Sequence, residues 1–154
     1  MDFSTYKKII TIDPDLEKNG VAIYDTQTKV CQVGNAYMWE LFFFLLENKD
    51  AFIILENSGL SSKQNWHGKA SGKNVGKNMG VSMVISDFLK AYKFSVLELS
   101  PQGFSRFKTH EAMLSATNIE MASSNNEQRS ALCIVMKFFK IKKVVKVKFK
   151  TYDK

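Results

Sequence analysis

Residues 8–25 read KIITIDPDLEKNGVAIYD, and this stretch contains two predicted β-strands. The first strand, 8–12, is apolar and rich in β-branched residues, and the turn sequence DPD at 13–15 stops it. The dipeptide NG at 19–20 favours a hairpin, although the turn is longer than the usual two residues. A second strand returns over 21–25. An antiparallel pair therefore opens the chain, with an aspartate at the end of its first strand.

Strands and helices alternate along the rest of the chain. A weaker third strand, 30–33, precedes an apolar helix over 36–48 that we expect to be buried on more than one side. The next strand, 51–56, is a continuous apolar run typical of the centre of a sheet covered on both faces. The later predicted elements are a loop over 58–73, a helix over 75–92, a strand over 95–99, a short helix capped by Thr109 and a last helix over about 126–139. The apolar stripe predicted for the helix over 75–92 consists of Val75, Met79, Met83, Val84, Phe88 and Leu89.

This order of elements predicts the fold class. An antiparallel meander of three strands, followed by strands that crossover helices add, is the order of the ribonuclease H-like fold. We therefore expect an α/β fold with a mixed five-stranded sheet and helices on both faces. Residues 1–141 are assigned to this domain, and residues 142–154 to a basic C-terminal tail.

Composition excludes several classes of protein. The chain has 154 residues, of which 45% are hydrophobic, and this suits one globular domain. Twelve Phe argue against a disordered chain, and the longest apolar runs, such as 41–46, are far shorter than the ~20 residues that cross a bilayer. Since the N-terminus also lacks the apolar segment of a secretion signal, we expect a cytoplasmic protein without membrane contact. Cys31 and Cys133 have no CxxC spacing and are predicted to be reduced core residues.

The net charge of +7 is concentrated at the C-terminus. Residues 137–154 contain eight Lys and one Asp, so residues 1–136 carry 14 basic and 14 acidic side chains. A basic tail fits phosphate binding, and it fits a solubilising segment equally well. A second basic segment lies between Glu56 and Asp87, which contains four Lys and no acid.

Two carboxylates at strand ends are the first candidates for chemistry. Asp13 closes the first strand and Glu56 closes the apolar strand 51–56, so the two emerge at one edge if these strands are neighbours. Either residue alone would most often be simply solvated, but Glu56 lies where an acid is costly unless a cation pairs with it. Together they predict an oxygen-ligand site for Mg²⁺ or Mn²⁺. Glu127 is a third candidate, although acids favour the first turn of any helix.

Five motifs, in this order, resemble those of RuvC-type Holliday junction resolvases. They are ITIDPD (10–15) with GVA (20–22), ILEN (54–57), GKNMG (76–80), Ser100-Pro101 and NEQRSAL (126–132). The resemblance extends over about residues 8–137. It is strongest to a divergent RuvC-like branch from Bacteroides-type bacteria and their mobile elements, in which the segments near 56–67 and 109–111 have a similar sequence.

The resemblance implies an endonuclease that cleaves branched DNA, as a homodimer because a four-way junction presents two symmetric strands. It implies two Mg²⁺ ions, or Mn²⁺ in their place, with Asp13 bridging them and Glu56 and Glu127 as further ligands. One ion would activate the attacking water and the other would stabilise the leaving oxygen. Ser130 stands where the pattern has its last aspartate. Asp15 is either a substitute for that ligand or a solvated turn residue.

The basic segment is the candidate DNA contact. Its residues are Lys63, Trp66, His67, Lys69, Lys73 and Lys77. The lysines would bind phosphates, and the aromatic residue would stack on an unpaired base near a branch point. The plainer alternative is a surface loop whose Trp packs on the domain. His110 is expected to be a solvated or capping residue.

Two other functions compete with the nuclease. The first is a non-catalytic protein that binds DNA junctions and has lost part of its metal site at Ser130. The second is an ATPase of the actin or sugar-kinase type, which shares the hairpin of residues 13–20 but needs two domains.

Overall fold

The computed structural model describes residues 3–60, 69–101, 107–117, 119, 121 and 123–149, and among these the side chains of 69–75 are not described. Its strands are β1 (Lys8–Asp13), β2 (Asn19–Asp25), β3 (Val30–Ala36), β4 (Phe52–Glu56), β5 (Ser95–Leu99) and β6 (Lys143–Lys146). Its α-helices are α1 (Met38–Leu46), α2 (Lys69–Ala91), α3 (His110–Ala116) and α4 (Asn126–Phe138).

The six strands form one mixed sheet in the order β5-β4-β1-β2-β3-β6. Strands β1, β2 and β3 form an antiparallel meander, whereas β4 is parallel to β1, β5 to β4 and β6 to β3. The α/β class with helices on both faces of the sheet is thus confirmed. The strand count differs from the expected five, because residues 143–146, which the sequence analysis places in the tail, pair with β3.

Alternation along the central strands gives the sheet one core on each face. Ile9 packs on the face covered by α3 and α4, whereas Ile10 and Ile12 pack on the face covered by α1 and α2. Thr11 follows the same alternation, since its hydroxyl donates a 2.7 Å hydrogen bond to the Ala131 carbonyl of α4. The side chain after Ile12 therefore belongs to the α4 face.

Helix α1 has packing partners on more than one side, as predicted. Leu41 and Leu45 are buried against the sheet, and the ring of Phe42 stacks on Phe88 of α2 with their centroids 4.1 Å apart. One side of the helix remains open, since Phe43 is 50% exposed.

Helix α2 begins at Lys69, inside the segment predicted as a loop. Its buried apolar residues are Val81, Ile85 and Leu89, four residues apart, whereas Met83 and Val84 of the predicted stripe are 56% and 52% exposed. The C-terminal end of the predicted stripe is therefore confirmed at Leu89, whereas Met83 and Val84 are out of phase with the buried face.

Two small polar residues account for this phase. Ser82 and Ser86 are buried between α2 and the sheet, where their hydroxyls donate to the Asn78 carbonyl at 2.9 Å and to Glu98 at 2.8 Å. A satisfied serine can be buried at little cost. A pattern of apolar residues cannot identify such a buried position.

The cysteines are core residues, as predicted. Cys31 and Cys133 are both buried and neither forms a disulfide. Burial raises the pKa of the Cys31 thiol to about 12, so it stays protonated and unreactive. Among the described residues, no helix combines the length and the apolar character needed to cross a membrane.

Candidate active site

The structure brings the two strand-end carboxylates together. Strands β1 and β4 are parallel neighbours in which Ile12 lies opposite Leu55, so Asp13 and Glu56 occupy the next position of each strand. Neighbouring strands lie about 4.8 Å apart. Two residues before Glu56, Ile54 packs in the core beneath α4, which places Glu56 on the same face as Asp13. The two carboxylates are therefore adjacent at one edge of the sheet.

Ionisation of this pair is unfavourable in the protein as it stands. Burial raises the pKa of Asp13 to about 8, and the charges of Glu56, Glu127 and Asp15 act in the same direction. Burial also raises the pKa of Glu56 to about 7. One carboxylate oxygen of Glu56, Oε2, is buried and has no hydrogen-bond partner among the described residues. A cation beside these residues would relieve both the repulsion and the unsatisfied oxygen.

Helix α4 reaches this edge because a glycine lets it approach. Gly20 lies opposite Asp13 in the sheet, and a Cβ at that position would be 2.1 Å from the Glu127 carbonyl oxygen. Any side chain at residue 20 would therefore displace the first turn of α4. This close approach explains why the return strand carries a glycine there.

The start of α4 is fixed by its cap. The Asn125 side chain accepts a hydrogen bond from the Gln128 amide at 2.9 Å, and its own amide donates to Asn35 of β3 at 2.9 Å. The cap thus ties the first turn of the helix to the sheet. The sequence predicts the helix start but not the contact with Asn35, because a polar residue in a strand gives no signal of a distant partner.

Two side chains of α4 act on Asp13. The Ser130 hydroxyl forms a hydrogen bond to the Asp13 carboxylate and lowers its pKa, which opposes the effect of burial. The Glu127 charge also reaches Asp13. Residues three apart share a helix face, so both side chains point to this edge of the sheet. Asp13 and Glu56 thus lie together with the serine that replaces the expected aspartate, and Glu127 lies near enough for its charge to act on Asp13.

These residues fit a divalent cation that is only partly held by protein. Within the described ranges, no three His, Cys, Asp or Glu side chains are close enough to form a metal site by themselves. Mg²⁺ is usually held by one or two carboxylates, and water or substrate phosphate completes its shell. Asp13 and Glu56 supply such a pair. The Oε2 atom of Glu56, which has no hydrogen-bond partner among the described residues, is available as a metal ligand.

Comparison with solved structures identifies a similar fold. The chain is similar to the T. thermophilus RuvC in complex with Holliday junction substrate, with a TM-score of 0.51 and 10% sequence identity over 84% of this chain and 90% of that one. The fold is RuvC-like. No protein-family model and no curated protein matches the sequence.

A polar network supports the end of β4 in this RuvC-like fold. Asn57, directly after Glu56, donates to Glu98 at 2.5 Å and accepts from the Gly59 amide at 2.9 Å. Burial acts to raise the pKa of Glu98, but hydrogen bonds from Lys90, Asn57 and Ser86 outweigh it and keep the pKa below its usual value. The network lies on the α2 face of the sheet, opposite the face that carries Glu56, and fixes the position of the chain directly after Glu56. The sequence gives no signal of this network, because its members lie far apart in the chain.

Arg129 also has a structural role that the sequence does not predict. It is buried on α4, and its guanidinium donates 2.9 Å hydrogen bonds to the carbonyls of Phe107, Lys108 and Ser124. It therefore fixes the segments on either side of α3. His110 lies nearby, with Nδ1 2.9 Å from the Ser124 hydroxyl, and Thr109 caps α3 as predicted.

The candidate DNA contacts are described only in part. Lys63, Trp66 and His67 lie outside the described residues. Lys69 and Lys73 belong to the first turns of α2 and not to a loop, and Lys77 is exposed on the same helix. Positions 69, 73 and 77 are four apart, so they share one face of the helix.

Proposed function

We propose that the protein is a metal-dependent endonuclease that cleaves branched DNA, such as a Holliday junction, by hydrolysis of a phosphodiester bond. The observation that carries the proposal is the adjacent, buried pair of Asp13 and Glu56 at one end of a RuvC-like sheet, where the described residues place no cation beside them. The similar solved RuvC is bound to a Holliday junction, which supports this substrate class. The divergent RuvC-like branch, a cytoplasmic location and a role in DNA recombination belong to the same proposal.

In this proposal Asp13 and Glu56 would hold two Mg²⁺ ions, or Mn²⁺ in their place, and Glu127 would be the third ligand, with water or substrate phosphate completing the shells. Bound metal supplies an activated water and a positive charge beside the leaving oxygen. The residues of the chain supply position. The hydrogen bond from Ser130 holds the Asp13 carboxylate in one orientation, and Glu56 presents its unpaired Oε2 to the same side of the sheet.

The basic segment before and within α2 supplies DNA contacts in the same proposal. These residues are Lys63, Trp66, His67, Lys69, Lys73 and Lys77. The first turn of α2 contains no acid, and the exposed Lys77 belongs to the same helical face as positions 69 and 73. Such a row of positive charge suits a phosphate backbone.

A second function has one observation in its favour. Ser130 is a neutral partner of Asp13 where the resolvase pattern has an acid, so the site carries less negative charge than that pattern provides. A protein of this kind would bind a junction without cutting it. Binding and cleavage must therefore be measured separately.

A synthetic four-way junction tests the proposal. Nicking is measured against Mg²⁺ and Mn²⁺ concentration for the natural protein, Asp13→Asn and the control Asp50→Asn, whose residue is exposed just before β4 at the opposite edge of the sheet. We expect metal-dependent nicking that Asp13→Asn abolishes without loss of junction binding, and that Asp50→Asn leaves intact. Junction binding without nicking at any metal concentration would establish the second function. No preference for the junction over linear duplex would reject both.

A further inference from the structure

The outer edge of the sheet carries the excess positive charge of the protein. Strand β6 has β3 as its neighbour on one side and ends the strand order on the other. The exposed lysines of this strand and its flanks are Lys140, Lys142, Lys143, Lys146 and Lys148. No acidic residue occurs from 137 to 149, and the nearby acids Glu40 and Glu47 of α1 share a cavity with Lys148 alone of these lysines. We refer to residues 140–148 as the basic edge.

The basic edge leads toward the carboxylates. Strand β6 is parallel to β3, with Lys146 opposite Val33, and the Val147 amide continues the pairing by donating to the Val33 carbonyl at 2.9 Å. Gly34 admits this approach, because a Cβ there would be 2.5 Å from the Val147 carbonyl oxygen. The strand therefore runs toward the same end of the sheet at which β3 meets the site.

The separation follows from the strand order. The next residue of β3, Asn35, lies opposite Gly20, and Gly20 lies opposite Asp13. Strand β6 is thus three strand spacings from β1, or about 15 Å. This is about four base pairs of B-form DNA along its axis.

Lys146 also contacts the start of the helix that completes the site. Its ammonium group donates a hydrogen bond to the Ser123 hydroxyl, two residues before the Asn125 cap of α4. Lys146 is therefore on the α4 face, which is the face of Asp13 and Glu56. A strand of DNA that crosses the carboxylates would meet this lysine as it passes the start of α4.

We propose that the basic edge binds the backbone phosphates of one arm of the branched DNA as that arm leaves the carboxylates. This inference rests on the proposed function and adds a second contact surface to it. Lysines suit this task, because flexible point charges hold phosphates without reading sequence. Lysines on an edge strand also prevent pairing with another chain, and that role predicts no effect on DNA affinity.

The test compares two double variants in EDTA, so that binding is measured without cleavage. Lys146→Gln with Lys148→Gln removes charge from the basic edge near the site. Lys7→Gln with Lys49→Gln is the control. It removes the same amount of charge from exposed residues that precede β1 and β4, at the end of the strands opposite Asp13 and Glu56. Affinity for a four-way junction is measured over a series of salt concentrations. We expect the first variant to flatten the slope of log affinity against log salt by about 1 to 2, and the control to leave it unchanged.

The outcomes separate this inference from the proposed function. Restoration of the slope by Lys146→Arg with Lys148→Arg, at an unchanged melting temperature, would support phosphate binding. A junction that binds equally to the natural protein and to both glutamine variants would overturn the basic edge and leave the nuclease proposal standing. A natural protein that does not bind the junction would overturn both.

Discussion

At the scale of single residues, Asp13 links the stability of the protein to pH. Folding raises its pKa from 3.8 to about 8, so its contribution to stability is complete below about pH 4 and is lost as the pH rises through about 8. Glu56, with a pKa near 7, acts in the same direction. In EDTA we expect the melting temperature to fall between pH 5 and pH 8.5.

Asp13→Asn should flatten this pH dependence and stabilise the metal-free protein at pH 8.5 by at least about 1 kcal/mol, since one pKa unit corresponds to about 1.4 kcal/mol. Thermal melts at several pH values measure the effect, with Asp50→Asn as the control. Added Mg²⁺ should raise the melting temperature of the natural protein at pH 8.5 more than that of Asp13→Asn. A variant that keeps the full pH dependence would show that Asp13 is not the group responsible.

Ser130 is a neutral hydrogen-bond partner of Asp13, so in the proposed metal site it would leave less negative charge than an aspartate. A carboxylate at this position would add a charged ligand next to Asp13, so Ser130→Asp should lower the Mg²⁺ concentration for half-maximal nicking by roughly tenfold. Ser130→Ala is the matched control, because it removes the hydrogen bond to Asp13 without adding charge. Unchanged metal dependence in Ser130→Asp would mean that residue 130 provides no ligand and would favour Asp15.

At the scale of elements, the packing of α4 on β2 depends on one missing side chain. Gly20→Ala would place a Cβ against the Glu127 carbonyl. This carbonyl belongs to the helix backbone and cannot move by itself, as the end of a side chain could, so the whole first turn of α4 must shift. We expect a loss of about 2 kcal/mol in the free energy of unfolding, measured with urea. We also expect weaker metal binding, because Glu127 moves with the turn.

Gly80→Ala provides the control for this substitution. Gly80 lies inside α2, and apart from its own helical turns a Cβ there would meet no described atom within 4 Å. Alanine should therefore leave stability unchanged or raise it by up to about 1 kcal/mol, because of its higher helix propensity. Equal effects of the two substitutions would show that the contact between Gly20 and Glu127 does not limit the packing of α4.

At the scale of the whole molecule, a symmetric junction requires two active sites, and we propose that a homodimer supplies them. The exposed apolar residues Met83 and Val84 of α2 suit a contact between two copies of this chain. Val84→Lys should produce a monomer in sedimentation experiments and convert paired nicks into single nicks. Phe43→Lys, at an exposed residue of α1, should leave the dimer intact. Dissociation by the α1 variant alone would move the interface to α1.

Local patterns were enough to predict the elements that bear the carboxylates. The β-branched run before Asp13 and the apolar run before Glu56 each determine a strand and its end, and the capping residue Thr109 marks a helix start. These signals lie within a few neighbouring residues, so no knowledge of distant parts of the chain was required. The adjacency of Asp13 and Glu56 was predicted only on the condition that their strands are neighbours, and the pairing of β1 with β4 meets that condition.

Contacts between distant residues determined the rest. The lysine-rich residues 143–146 form a strand only because β3 offers a free edge and Gly34 admits their backbone. The buried face of α2 contains Ser82 and Ser86 because their hydroxyls form hydrogen bonds there. A pattern of apolar residues cannot predict where such partners lie. The raised pKa of Asp13 likewise arises from burial and from charges on β4 and α4. Hydrogen bonding, burial and charge repulsion depend on distances in space, and these exist only once the chain has folded.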